Sequence, residues 1–411
     1  MRILCVFGKH AYGDPARGAG YEHANFLPAL RELGHEVEVF ESFDRRAYGD
    51  FAELNRAFVA KVAQWRPDVV LSVLMHYELW SETLALVRRL GTAVLNWGTD
   101  DSWKYAQFTR YLARNVDVYA TTSHEALAAA RAEGLDNVIL TQWAASDAGL
   151  AEPLAASECR YPVSFIGAAY GRRRRWIEGL RQHGIEVACF GHGWPAGAVD
   201  TARLREITRA SVVSLNFSEA SVHGRQLKAR VFEVPGCGGM LLTEQTSHLE
   251  EYLAPGKEVE TFASPEDLVT KIHALLQDTA RRDAIARAGH ARVRSEHLYS
   301  RRFQPLLDAA RERVRRRSAE ERGVQGAGAG ESVSGNRVPD EEIAALAAAH
   351  ATGPLHKFLR AVLVAPCRVL FGPRRGPRAA RRLLYEISWR FAGERTYSAR
   401  GLPGRLFYAE S

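Results

Sequence analysis

Two kinds of segment alternate along this chain. Short apolar runs rich in Val, Ile, Leu and Phe are followed by longer segments whose apolar residues recur every three or four positions. Residues 2–8, 37–40, 69–74, 92–96, 116–121 and 137–140 read as strands. Residues 21–33, 51–65 and 79–90 read as helices, and Gly34 and Gly91 close the first and last of them. Strands that are apolar throughout, separated by helices, predict a parallel, doubly wound α/β sheet with both faces covered.

A polar, alanine-rich connection at 146–161 leads into a second series of the same kind. Residues 163–167, 187–190 and 212–216 read as strands, and 173–183, 265–276 and 280–296 as helices. The pattern predicts two α/β domains, 1–150 and 151–300. A closing helix is expected at 301–317. Residues 318–337 are rich in Gly, Ser, Glu and Ala, lack aromatic residues and read as a flexible linker. Residues 338–411 read as a basic, amphipathic helical tail, with Pro366 ending or kinking its helix.

Residues 225–250 (RQLKARVFEVPGCGGMLLTEQTSHLE) join a basic lead-in, a short helix, a glycine turn and an apolar strand. Glu233 is a lone acid among apolar neighbours. Glu is rarely buried without a partner, so it either caps something structural or holds a ligand hydroxyl. Lys228 and Arg230 stand one turn upstream and suit a ligand that also carries phosphates.

The run Phe232-Glu233-Val234-Pro235-Gly236-Cys237-Gly238 resembles the nucleotide-sugar signature of the GT-B glycosyltransferases. There, Phe-Glu, two or three small residues and Cys-Gly precede a strand. The downstream runs Leu249-Glu250-Glu251-Tyr252, Pro255-Gly256-Lys257-Glu258 and Ser264-Pro265-Glu266-Asp267-Leu268 are similar to that family too. The resemblance covers residues 160–305 best and is nearest to the spore-maturation-type branch of the group 1 superfamily. It implies two Rossmann-like domains with an interdomain cleft, the donor on the C-terminal half and the acceptor on the N-terminal half. It also implies that Glu233 holds the ribose of the donor nucleotide. Many relatives carry a second Glu eight positions earlier. Here that position is Arg225, a departure that bears on two-glutamate, retaining chemistry.

Two glycine-bearing loops follow the first strand of each half. Residues 8–20 (GKHAYGDPARGAG) offer Asp14, Gly18 and Gly20 as a donor-sugar or acceptor loop, and match neither a Walker A loop nor G-x-G-x-x-G. The second has Gly167 followed by four arginines, of which Arg172 or Arg173 is expected to face a diphosphate at the helix start. Gly191 and His192 follow another strand and flank the base or diphosphate. His223 precedes Gly224 and is placed to reach the donor sugar. The plain alternatives are ordinary turns and solvated arginines.

Sugar transfer to a hydroxyl needs a group that takes its proton or stabilises oxocarbenium charge. Asp100 and Asp101 follow the strand at 92–96, where relatives carry an aspartate-rich patch, and are the first candidates. His76, after the strand at 69–74, is the second. Adjacent aspartates also serve as helix caps. No Asp-x-Asp metal motif occurs at this place, and the resemblance implies no metal cofactor.

Composition narrows the remaining classes. The five cysteines are scattered without a C-x-x-C pair, which argues against a disulfide framework or zinc site and for a reducing cytoplasm. The start, MRILCVFGKH, lacks the features of a signal peptide, and no apolar run of about 20 residues predicts a spanning helix. The formal charge is +7, but residues 351–411 hold twelve Lys or Arg against three acids. A basic region confined to a tail suggests either an anionic membrane surface met through residues 355–408 or helices packed on the α/β domains or another subunit with their arginines solvated. No nucleic-acid motif accompanies it.

These readings predict a glycosyltransferase that moves a sugar from a nucleotide-sugar to a hydroxyl of a saccharide or lipid-linked acceptor in cell-surface polysaccharide synthesis. The rivals are a sugar-nucleotide epimerase of the same architecture and a catalytically inactive sugar-binding or coat-assembly protein.

Overall fold

Apolar strands such as RILCV and VVLS cannot leave either face in water, and the chain covers both with helices. The computed structural model describes residues 1–220, 224–326 and 338–411. It divides into two compact units. The first holds Met1–Asp14, Gly34–Leu140 and Pro305–Ser411, and the second holds Pro15–Leu33 and Thr141–Gln304.

The first unit contains β1 (Arg2–Val6), followed by α1 (Tyr21–Glu32), which belongs to the second unit. Next come β2 (Glu36–Phe40), α2 (Phe51–Trp65), β3 (Val69–Ser72), α3 (Ser81–Arg89) and β4 (Ala93–Trp97). A helical stretch follows, running from α4 (Asp101–Lys104) through a π-helical segment (Tyr105–Thr109) to α5 (Arg110–Leu112). Then come β5 (Val118–Thr121), α6 (His124–Ala132) and β6 (Val138–Leu140). The six strands pair in parallel in the order β2-β1-β3-β4-β5-β6. All carboxyl ends therefore open on one edge, the usual ligand side of such sheets.

The second unit contains β7 (Tyr161–Ile166), α7 (Arg173–Gln182), β8 (Ala188–Phe190), α8 (Thr201–Arg209) and β9 (Ser211–Asn216). A small antiparallel pair, β10 (Glu219–Ala220) and β11 (Gly224–Arg225), leads to α9 (Arg230–Gly236) and β12 (Leu241–Glu244). After β13 (Glu260–Phe262) come α10 (Pro265–Gln277) and α11 (Thr279–Glu296). Its five-stranded parallel sheet has the order β13-β12-β9-β7-β8.

Three features of the C-terminal region bear on its sequence reading. The closing helix α12 spans Tyr299–Gly326, so residues 318–326 are helical rather than linker, and 327–337 lie outside the described residues. The tail also belongs to the first unit. In α13 (Val338–His350), Ile343 and Ala347 enter the same core as Phe58 and Val62 of α2, and Arg89 donates to Glu342 at 2.6 Å. In α14 (Pro354–Ala392), Tyr385 is buried in that core beside Tyr397. Finally, α14 keeps helical dihedrals through Pro366 and breaks at Gly372, which sits at φ 80 and ψ 168. A residue before proline is pushed out of the α region, and Gly372 precedes Pro373. Only glycine takes this positive φ cheaply. The short α15 (Leu402–Leu406) ends near the last residues.

Candidate active site

In the second unit, α9 alternates what it buries. Phe232 packs edge-on against Tyr252 and His297, at 5.7 and 5.3 Å between centroids. The next residue, Glu233, is turned to a more open side, where it accepts from the Arg230 guanidinium. Tyr21 and Tyr299 join hydroxyls at 2.8 Å nearby. Burial, then the Glu233 carboxylate, pushes the Tyr21 phenol well above its ordinary range, and burial does the same for Tyr299. Both hydroxyls therefore stay protonated, one donating to the other.

A second carboxylate organises the cations. Glu244 ends β12 and is fully buried. Its Oε1 pairs with Arg225 Nε at 2.9 Å and Arg172 Nη2 at 3.2 Å, and its Oε2 accepts from Ser218 N at 3.0 Å. Arg172 also pairs with Glu219 at 3.6 Å. Lys228 donates to the Glu219 carbonyl and, at 3.3 Å, to the Tyr170 hydroxyl. Arg172 and Arg225 keep 45% and 41% of their side-chain surface open, so the cluster presents two guanidinium groups to solvent over a buried counter-charge. Fixed cations of this kind suit a diphosphate.

The loops after β7 and β8 are stitched together. Gly167 N donates to the Phe190 carbonyl and Ala169 N to that of His192, both at 2.8 Å, while Trp194 Nε1 donates to Gly167 O at 2.8 Å. Gly191 lies against the Gly167 carbonyl, and the His192 side chain is exposed. Arg173 points inward. Its guanidinium lies 4.0 Å over the Tyr170 ring and donates to Ala168 O at 3.0 Å, so of the two expected arginines only Arg172 is open. His223 lies outside the described residues.

In the first unit, β3 and β4 are neighbours, which brings the loops that follow them together. Asn96 ties them, its Oδ1 accepting from Ser72 Oγ at 3.0 Å and Leu74 N at 3.1 Å. The buried Lys104 links the loops again, donating to Met75 O at 3.4 Å and pairing with Asp100 at 3.5 Å. Asp100 is partly open at the α4 N-terminus and makes no capping bond there. His76 is sandwiched by aromatic rings, Tyr77 at 5.9 Å and Tyr385 at 5.5 Å. Burial, then Lys104, Arg381 and Arg45, holds its pKa well below the usual histidine range, so the imidazole is neutral.

The structure separates the two aspartates. Asp101 is buried, and its carboxylate accepts from Thr109 and Thr121 at 2.7 Å and from Tyr119 at 2.8 Å. Burial raises its pKa, and the three hydroxyls oppose that rise. Gly98 allows the arrangement, since a Cβ there would collide with this carboxylate. Asp101 is thus buried, with three hydroxyls on its carboxylate, while Asp100 is the more open of the two. The loop bearing Asp14 and Gly18 is exposed, and Gly20 is the N-terminal neighbour of α1.

Sequence reasoning missed Glu219, Glu244, Tyr170, Tyr21 and Tyr299 in one unit, and Lys104, Arg381 and Tyr385 in the other. An acid closing the apolar run LLTE was the one legible signal among them.

Residues 172–308 match the family model described as glycosyl transferase-like. No curated protein matches the chain by sequence. Among solved structures, sucrose-phosphate synthase from Thermosynechococcus elongatus is 13% identical with a TM-score of 0.51, over 80% of this chain and 100% of its own. HepE of Anabaena, in complex with UDP and glucose, is 14% identical with a TM-score of 0.51, over 78% of this chain and 100% of its own. The chain has the GT-B fold. In this GT-B protein the matched stretch begins at Arg172 and contains Arg225, Lys228, Glu233 and Glu244, so the cationic cluster lies wholly within it.

Proposed function

We propose that this protein is a nucleotide-sugar-dependent glycosyltransferase acting on a hydroxyl of a saccharide or lipid-linked acceptor. The observation that carries this reading is the Arg172–Glu244–Arg225 cluster, inside the same glycosyl transferase-like stretch as Glu233. Arg172, Arg225 and Lys228 hold the donor diphosphate, and Glu233 accepts from ribose hydroxyls. As the bond from the anomeric carbon to the phosphate oxygen breaks, charge grows on the departing diphosphate. The two guanidinium groups are already held in place by Glu244, so stabilising that charge costs little reorganisation.

The acceptor lies with the first unit in this reading. Its hydroxyl oxygen bonds to the anomeric carbon and its proton passes to Asp100, which Lys104 positions. His76, held neutral, is the next candidate for that proton. The reaction needs no metal in this proposal, and activity retained in EDTA tests that. The spore-maturation-type branch, cell-surface polysaccharide synthesis and a site of action at the inner face of the membrane complete it.

Arg225 in place of the relatives' second glutamate favours one alternative, a sugar-binding protein without turnover. The deciding experiment incubates the protein with UDP-, GDP- and dTDP-sugars, UDP first because the HepE structure holds UDP and glucose. Release of nucleoside diphosphate that depends on added acceptor supports transfer. Binding without release supports the alternative, and isomerisation of the donor alone supports an epimerase.

A further inference from the structure

The two halves of α14 have one face each in the first unit. Val364 and Cys367 before Gly372 pack with Ala380, Leu406 and Phe407 after it, and Gly376 lies against the Arg368 backbone, so the halves fold back on each other as a hairpin. The opposite face of the first half is uncovered. Leu355, Phe358, Leu359, Val362, Val369 and Leu370 recur at helical spacing along it, and all are exposed. Val369 and Leu370, just before the turn, are 86% and 75% exposed, and Phe391 on the second half is 87% exposed. The stripe is about 20 Å long. An uncovered apolar face of this extent marks an interaction surface.

Charge decides the partner. From Pro354 to Ala392 the sequence holds nine Lys or Arg and one Glu. Arg374 and Arg375 are exposed directly after the apolar turn, and Arg378 and Arg382 follow on the exposed side of the second half. A second copy of this chain would bring two such cationic surfaces together. A bilayer with anionic headgroups instead takes up the apolar stripe below the headgroups and meets the arginines at their level. No helix among the described residues is long and apolar enough to cross a membrane, so the contact is an interfacial one.

We infer that the α14 hairpin docks the protein on an anionic lipid surface, with the Val369–Arg375 turn entering first. This goes beyond the transfer reaction and does not depend on it, since lipid binding can fail while donor binding stands. The docked hairpin also supplies Tyr385 to the His76 side of the first unit, which would bring a lipid-linked acceptor to that unit.

The test is flotation of the full chain with vesicles of phosphatidylcholine alone or with one-third phosphatidylglycerol. Point substitutions are used because α13, Tyr385 and Tyr397 belong to the core and removing the tail would disrupt it. The wild type should float with anionic vesicles and not with neutral ones. V369E with L370E, and separately R374E with R375E, should each lower the bound fraction at least tenfold at an unchanged unfolding midpoint. Absence of flotation by the wild type overturns the inference, as does equal flotation of the substituted chains. A wild-type dimer in solution that V369E with L370E separates, without vesicle binding, overturns it in favour of a second copy.

Discussion

Arg225 Nε lies 2.9 Å from Glu244 Oε1, joining a half-open guanidinium to a carboxylate that is almost wholly buried. Arg225 is therefore part of a cationic cluster. A glutamate at 225 would face Glu244 as a like charge rather than add a second ribose or sugar contact.

Arg225→Glu should weaken nucleoside diphosphate binding by about tenfold or more, ~1.4 kcal/mol. Arg225→Lys keeps the charge but loses the planar fork, so it should weaken binding less. Calorimetric titration distinguishes the two. Improved binding by Arg225→Glu would mean that the cluster does not hold the diphosphate.

The two aspartates should part in experiment. Asp101→Asn replaces a carboxylate that accepts three hydroxyl bonds and should destabilise the first unit by roughly 1–3 kcal/mol in urea unfolding. Asp100→Asn should leave stability within about 0.5 kcal/mol. It should lower kcat at least tenfold with donor affinity unchanged, the mark of a group acting in the transition state. Full turnover by Asp100→Asn would move the role to His76.

How far the sequence leads is visible at this pair. Spacing and composition place both aspartates after an apolar strand, which is correct. Which of them turns inward depends on Gly98 and on hydroxyls from Thr109, Tyr119 and Thr121, brought up by elements distant in sequence. The two parallel sheets were legible because central strands such as β1, β3 and β4 are almost wholly apolar and buried. Helix α8 was not, since TARLREITR is short and mostly polar and fully buries only Ile207 and Thr208. The amphipathic tail was legible as helices, but its docking on α2 and His76 was not. Such packing is fixed by facing surfaces, which spacing along one chain does not reveal.

A pH dependence follows from His297, whose ring bonds Tyr252 O and Arg302 Nη2, both at 2.8 Å. Burial pushes its pKa down to about 4 from 6.5. Because the folded value is the lower one, its contribution to stability is complete above pH 6.5 and is lost as pH falls toward about 4. One proton gives a slope of up to about 1.4 kcal/mol per pH unit in that window. His297→Gln should flatten this limb in urea unfolding curves, and an unchanged slope would assign it to other groups.

The central claim is that the second unit binds the nucleotide of a sugar donor through Glu233, and calorimetry with UDP, GDP and dTDP tests it most directly. The wild type should bind at least one of them. Glu233→Gln removes a charged hydrogen bond to ribose worth roughly 1.5–3 kcal/mol, so its affinity for that nucleotide should fall at least tenfold with the unfolding midpoint unchanged. Equal affinity in the folded Glu233→Gln protein, or no binding of any of the three by the wild type, would contradict the account.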